Sequence, residues 1–395
     1  MNGKKVAVLD ITSDMITLVL QDKKFADSFA FHAYENYSGY QDGEFLDKGE
    51  LIKVVESLIV RCRKTAFAEP EEIMVGVPAE FTSVVCREAV KNFGALKTVT
   101  ERDVDEIIAS PPPEADLKTV ISASPVWFTL DDGNAEIVPV GKQTSRLTCQ
   151  MSYVFCVNSF IALFDKISEM TGVRFEYAPA MLAEVMYVVP ESMRDDGVLL
   201  ADAGYLSTGV CYAYGDGMLG QTAFSIGRGH FAADLVFVDG LPFENAAAAV
   251  DKLNFNLHPS GGEKYFVTVN GESYEYDIAR VNDICLARAE QIAEEIAASA
   301  ASFPFKLPAD YKIVLTGSCF QGIPGAKDIV RRVTGHDTEF VSPALKPFDK
   351  PRFASLAGLI GVQRRNLDKT EREKFGNFNK FIHKLKEKLF RRSDR

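Results

Sequence analysis

The chain has 395 residues, is 47% apolar and carries a formal net charge of −11. A chain of that length and apolar share buries the core of two domains or of one bilobal unit, and its acidic balance argues against general nucleic-acid binding, so no nucleic-acid partner is expected. The seven cysteines form no CxxC pair and follow no signal-peptide pattern, which points to reduced thiols and the cytosol, and no uninterrupted apolar run is long enough to span a membrane.

From Lys5 the sequence reads as a β-hairpin: VAVLD, the polar turn TSD, then MITLVL. A third strand is predicted around Ser28 to Tyr34. Leu51, Val54, Val55, Leu58 and Ile59 then fall at helical spacing within 48–67, and Ile73 to Val77 is a further buried strand. A meander, a helix and another strand make a mixed sheet with helices packed on it. Residues 81–177 form a second α+β block, with a helix opening at Thr100, strand pairs around 120–140 and 145–158, and a closing helix over 159–172. A strand-turn-strand unit then recurs at VLLADAGYLSTGV, 198–210, as in a duplicated fold. After it come helices over 229–239 and 243–253, a hairpin turning at Asn270-Gly271, a long helix over 279–302 and the strand YKIVLTGS.

Three turns carry the chemistry: LDITSD at 9–14, ADAGYLST at 201–208 and LTGSCFQGIPG at 315–325. In the first two an acid ends an apolar strand and hydroxyls follow. This pattern lets Asp10 and Asp202 hold the waters of a cation while Ser13, Ser207, Thr208 and backbone N–H groups face an anion. In their order the three turns resemble those of the actin, Hsp70 and sugar-kinase superfamily. The block 81–177 resembles the inserted, SHS2-type α+β subdomain of the FtsA family of bacterial actin-like division proteins. SIGRGHFAADLVFVDGLPFENAAAAVDKL and PRFASLAGLIG resemble that family's segment after the second turn and its closing helix.

The resemblance implies an α/β fold of duplicated ribonuclease-H-like, actin-like domains. Residues 1–80 begin the first lobe, 81–177 are the insertion, and 178–362 form the second lobe, with a closing helix near 352–362 returning to the first. A linker over 363–377 and an amphipathic helix over 378–395 follow. The resemblance also implies ATP with Mg²⁺ as cofactor, bound by Asp10, Thr12, Ser13, Asp202, Gly204, Ser207, Thr208, Gly317 and Ser318, with Asp10 and Asp202 toward the metal. The turns depart from the family's pattern: Thr12 stands for a glycine, Asp14 for a base, and Tyr205 and Leu206 for two glycines. Bulk in place of glycine resists close approach of backbone to an anion, and a carboxylate at 14 repels polyphosphate. At most a weak ATPase is expected, and no catalytic residue is assigned.

The C-terminal sequence carries a second signal. Phe378, Phe381, Ile382, Leu385 and Leu389 share one helical face with Phe390 at its edge. Lys380, Lys384, Lys386, Lys388, Arg391 and Arg392 surround that face, the composition of a helix lying on an anionic membrane surface. The FtsA resemblance implies the same element. The expected function is an actin-like division scaffold, peripheral on the inner face of the cell membrane at the division site, self-associating and tethering an FtsZ-like filament. A pilus-assembly or cell-shape homologue is the alternative within the fold, and a small-molecule kinase the alternative outside that class.

Overall fold

The structure, a computed structural model, describes residues 5–22, 28–66 and 70–367. The tail residues Phe378, Phe381, Ile382, Lys384, Leu385, Lys388, Leu389, Phe390, Arg391 and Arg392 therefore lie outside the described residues.

The first lobe opens with the meander β1 (Lys5–Ile11), β2 (Met15–Asp22) and β3 (Phe29–Asn36), followed by the short pair β4 (Tyr40–Gln41) and β5 (Glu44–Phe45), then α1 (Lys48–Ala66) and β6 (Glu72–Val77). The inserted block holds β7 (Thr82–Thr98), α2 (Glu101–Ile108), β8 (Lys118–Thr129), β9 (Ala135–Glu136) and β10 (Gln143–Val157). The chain continues through α3 (Asn158–Thr171), β11 (Arg174–Pro179), α4 (Ala180–Tyr187) and α5 (Glu191–Asp196). The second lobe holds β12 (Val198–Ala203), β13 (Thr208–Tyr214), β14 (Gly217–Phe224), α6 (Arg228–Asp239), α7 (Phe243–Val250), β15 (Lys264–Val269), β16 (Glu272–Asp277), α8 (Ile278–Ala301), β17 (Lys312–Thr316), α9 (Ala326–Thr334) and β18 (Thr338–Phe340). A closing helix over 354–367 ends the described chain.

The two lobes repeat one topology. The first sheet has the order β11-β6-β1-β2-β3 and the second β18-β17-β12-β13-β14. In each, three antiparallel strands are joined on one side by two parallel ones. Asp10 pairs in register with Thr17 and Asp202 with Gly209, so the two acids hold equivalent places at the ends of the central strands.

Burial on both faces explains the unbroken apolar strands. Successive side chains of β1 point to opposite faces: Leu9 packs with Leu51, Leu58 and Phe160 of α1 and α3, while Val6 and Val8 pack with Leu356, Leu359 and Ile360 of the closing helix. In β12, Leu199 and Ala201 face the helices of the second lobe, and Val198 and Leu200 face Met181, Leu182 and Val185 of α4. Ala183 of the same helix packs on the first sheet's cluster. α4 thus lies between the sheets.

Two features of the insertion differ from the sequence reading. The insertion was expected to run to 177 and to be closed by its own helix, but Phe160, Phe164 and Ile167 of α3 face the first lobe's core, and β11 pairs in parallel with β6. The inserted sheet is β7-β10-β8-β9. The apolar stripe of α3 has more surface to cover on α1 and the first sheet, where Phe160 and Phe164 stack at 5.0 Å. Truncating such a side chain costs about 3–5 kcal/mol. The second difference is β7, a 17-residue strand whose charged, half-exposed face hides its period. Asn270 and Gly271 both have positive φ, as a type I′ hairpin requires. All seven cysteines are free, and among the described residues no helix is long and apolar enough to cross a membrane.

Candidate functional site

The three turns meet between the lobes. Thr12, Ser13, Asp202, Gly204, Ser207, Gly317 and Ser318 line one cleft, joined by Asp14, Tyr40, Met181, Arg352 and Ser355. Asp10 lies beneath it, 1% exposed, and its Oδ2 accepts a hydrogen bond from Ser355 Oγ at 2.8 Å. Thr208 turns away and donates to the Ile226 carbonyl at 2.7 Å.

The departures from glycine are accommodated by neighbouring glycines. Leu206 Cδ1 sits where a Cβ on Gly39 would come within 2.9 Å, and the Tyr205 ring sits where a Cβ on Gly229 would come within 2.9 Å of it. Both side chains are thereby seated outside the cleft. At position 14, where the sequence shows an acid in place of a base, Arg352 brings the cation from a distant segment, with Nη2 at 3.5 Å from Asp14 Oδ2. Burial raises the pKa of Asp14, and Arg352 and the Thr12 hydroxyl oppose the rise.

Several N–H groups of the three turns are engaged within the protein. Thr12 N–H donates to the Met15 carbonyl, Gly204 N–H to that of Ser207, and Gly317 N–H to that of Pro351. Leu206 N–H reaches across the cleft to Ser13 Oγ at 2.9 Å. On the far side, the Arg228 guanidinium bonds the Cys319 and Gln321 carbonyls and Asp251, spanning the gap between α6 and the third turn. The remaining cavity is about 30 Å³, room for one water and far below the 300 Å³ or more of ordinary ligand sites. In this arrangement a nucleotide does not fit.

Beneath the turns lie three carboxyls, one of them unforeseen. Glu184 of α4 is fully buried, and its Oε2 accepts from Thr316 Oγ1 at 2.7 Å. Burial, with Asp202 and Asp10 nearby, pushes its pKa well above the usual carboxylate range, and the Thr316 hydrogen bond opposes the rise. Burial raises Asp202 to about 6, with the Glu184 carboxyl offsetting part of the rise. Burial raises Asp10 to about 7, opposed by the Ser355 hydrogen bond and reinforced by Asp202 and Asp14. Asp10 Oδ1 and Glu184 Oε1 are buried without a hydrogen-bond partner. Such orphaned oxygens and mutual repulsion suit a divalent cation. Among the described residues, however, no three His, Cys, Asp or Glu side chains converge to form a metal site. Asp10 and Asp202, with Glu184 once deprotonated, are the ligands such a cation would use directly or through water. One signal for Glu184 was present in the sequence: it is the only acid in the apolar helix AMLAEVMY, and a lone acid in such a run is a candidate for burial.

His230 caps α6, with Nδ1 accepting from Gly227 N–H at 3.1 Å, and burial lowers its pKa. It is a structural group. Trp127 packs edge-on against Tyr214 at 5.8 Å.

No family model and no curated protein matches the chain. Solved structures do match it over nearly their full length. The PilM-PilN type IV pilus biogenesis complex is 14% identical with a TM-score of 0.59, covering 92% of this chain and 99% of that one. MreB5 of Spiroplasma citri bound to ADP is 8% identical with a TM-score of 0.55, covering 92% and 98%. The ethanolamine utilization protein EutJ from Carboxydothermus hydrogenoformans is 11% identical with a TM-score of 0.51, covering 91% and 90%. The chain has the actin-like fold. Its cleft is the one between the two lobes of that fold, closed on itself by its own turns.

Proposed function

We propose that the protein is an actin-like scaffold that assembles at the inner face of the membrane and tethers a filament of the tubulin-like division protein FtsZ. Nucleotide serves it as a ligand that sets the arrangement of the lobes, with at most slow hydrolysis. The observation that supports nucleotide acting on conformation is the bond between Ser13 and Leu206, which makes the two turns each other's ligand. The lobes must part before these groups can face a phosphate, so binding there is coupled to conformation.

Attachment is assigned to the basic amphipathic segment 378–395, and polymerisation would multiply the hold of many such segments on one surface. The partner surface is assigned to the second lobe, roughly 230–310, where Phe237 is 91% exposed and Phe243 50% exposed. Exposed aromatics at one corner suit a protein partner. The competing reading, a pilus-assembly role, draws on the likeness to the PilM-PilN complex along 99% of that chain. Imaging a fluorescent fusion with and without 378–395 separates the two. A tail-dependent band at midcell is expected. Diffuse signal overturns the division role, and polar signal that survives loss of the tail favours pilus assembly.

A further inference from the structure

A groove of about 830 Å³ runs between the first sheet and the inserted sheet. Its walls include two sheet edges: β11 ends the first sheet, and β8 is paired on its outer side only at Phe128 and Thr129. Between them Ile121, Ile161, Met186 and Tyr187 present apolar surface, none of them fully buried. Three carboxylates, Asp105, Glu176 and Asp216, line the groove against a single cation, Arg365. Asp216 already pairs with Arg194, so Asp105 and Glu176 carry the unbalanced charge. Glu176 also lies against Glu72; burial and that neighbour raise its pKa, while Arg174, 3.3 Å from Glu72, offsets part of the rise.

The chain leads to this place. Val362, Arg365 and Asn366 of the closing helix form part of the wall. Phe378 follows Leu367 by 11 residues, a tether that spans at most about 36–40 Å. Beyond it lies a segment whose apolar residues recur at helical spacing among lysines and arginines, complementary to the groove in both polarity and charge.

We propose that this groove is the docking site for the chain's own segment 378–395, bound as a helix with Phe381, Ile382 and Leu385 in the groove and Lys380 and Lys384 against its acids. Helix-in-groove recognition reads apolar anchors at i, i+3, i+4 and i+7, the spacing of Phe378, Phe381, Ile382 and Leu385, and the short tether holds the segment at a roughly millimolar effective concentration. The side chains that fill the groove are those a membrane would take up, so docking and any other use of that face exclude each other. The docking itself does not depend on the segment entering lipid or on which filament the protein serves.

The test uses the full chain carrying Phe381→Glu and Leu385→Glu, which disables the resident segment, and a labelled peptide of residues 378–395. Fluorescence anisotropy should show saturable binding, weakened about tenfold by adding Met186→Arg, as for loss of an interface anchor. Adding Asp105→Lys, at an exposed position outside the core, should weaken it about fivefold at low salt and less at high salt. The wild-type chain, its own segment in place, should bind the peptide about tenfold more weakly than the tail variant. No saturable binding, or equal affinity of the tail variant and both of its groove derivatives, overturns the proposal. Flotation of the free peptide on anionic vesicles reports separately on the membrane reading, and either result there leaves these outcomes unaltered.

Discussion

The Leu206 N–H donates to Ser13 Oγ at 2.9 Å, tying the second lobe's turn to the first. Leu206 rests on Gly39 and Tyr205 on Gly229, so neither side chain fills the cleft. A net hydrogen bond contributes about 0.5–1.5 kcal/mol. In Ser13→Ala the Leu206 amide should exchange about fivefold faster, while amides in the core of β1 keep their rates. Unchanged exchange at Leu206 would mean that the cleft is held shut by other contacts.

The buried acids make stability depend on pH in an unusual sense. Asp10 has a folded pKa of about 7 against the ordinary aspartate value of 3.8, so between those values the folded state holds the proton more tightly than the unfolded state. Stability from this group is complete below about 4 and is lost as pH rises through 7, a change on the order of 4 kcal/mol. Asp10→Asn should remove its share of that slope and be more stable than wild type at pH 8. Parallel denaturation curves of the two proteins from pH 5 to 8 would refute the assignment.

A cation site makes a separate demand on the same residues. At pH 8 Asp10 and Asp202, with pKa values of about 7 and 6, are both ionised and repel each other. Millimolar Mg²⁺ should then raise the melting temperature of wild type, through its preference for the folded state. The gain should shrink at pH 5, where both acids are protonated, and disappear in Asp202→Asn. A rise of equal size in that variant would mean that Mg²⁺ acts elsewhere.

What was legible in the sequence follows from how far apart the causes lie along the chain. The hairpins ending in Asp10 and Asp202 are local: apolar runs buried on both faces, each stopped by an acid and a polar turn. Glu184 and Arg352 are not local. Glu184 reaches the cleft because β11 pairs with β6 and sets α4 between the sheets, a consequence of topology that helical periodicity does not express. Arg352 meets Asp14 only after the whole second lobe has been built. For α3, adjacency in sequence suggested the insertion, while the packing of Phe160 and Phe164 put it in the first lobe.

The third turn offers a test that separates backbone strain from cleft packing. Gly317 has φ +80°, and a Cβ there would stand 2.2 Å from the Ala203 carbonyl oxygen and 2.5 Å from Asp202 Oδ1. Gly240, the C-cap of α6, has a similar φ of +67° with nothing within 4 Å of a Cβ. Alanine at either position bears the left-handed strain of about 1–2 kcal/mol. Only at 317 must the third turn also move off the second, so Gly317→Ala should lose at least about 2 kcal/mol more in urea unfolding, within the range of overpacked cores. That displacement relieves the crowding at Asp202, so the pH dependence of unfolding should shift in Gly317→Ala and not in Gly240→Ala. Equal losses in the two variants would show that the turns do not press on each other, and the account of a self-closed cleft would fail with them.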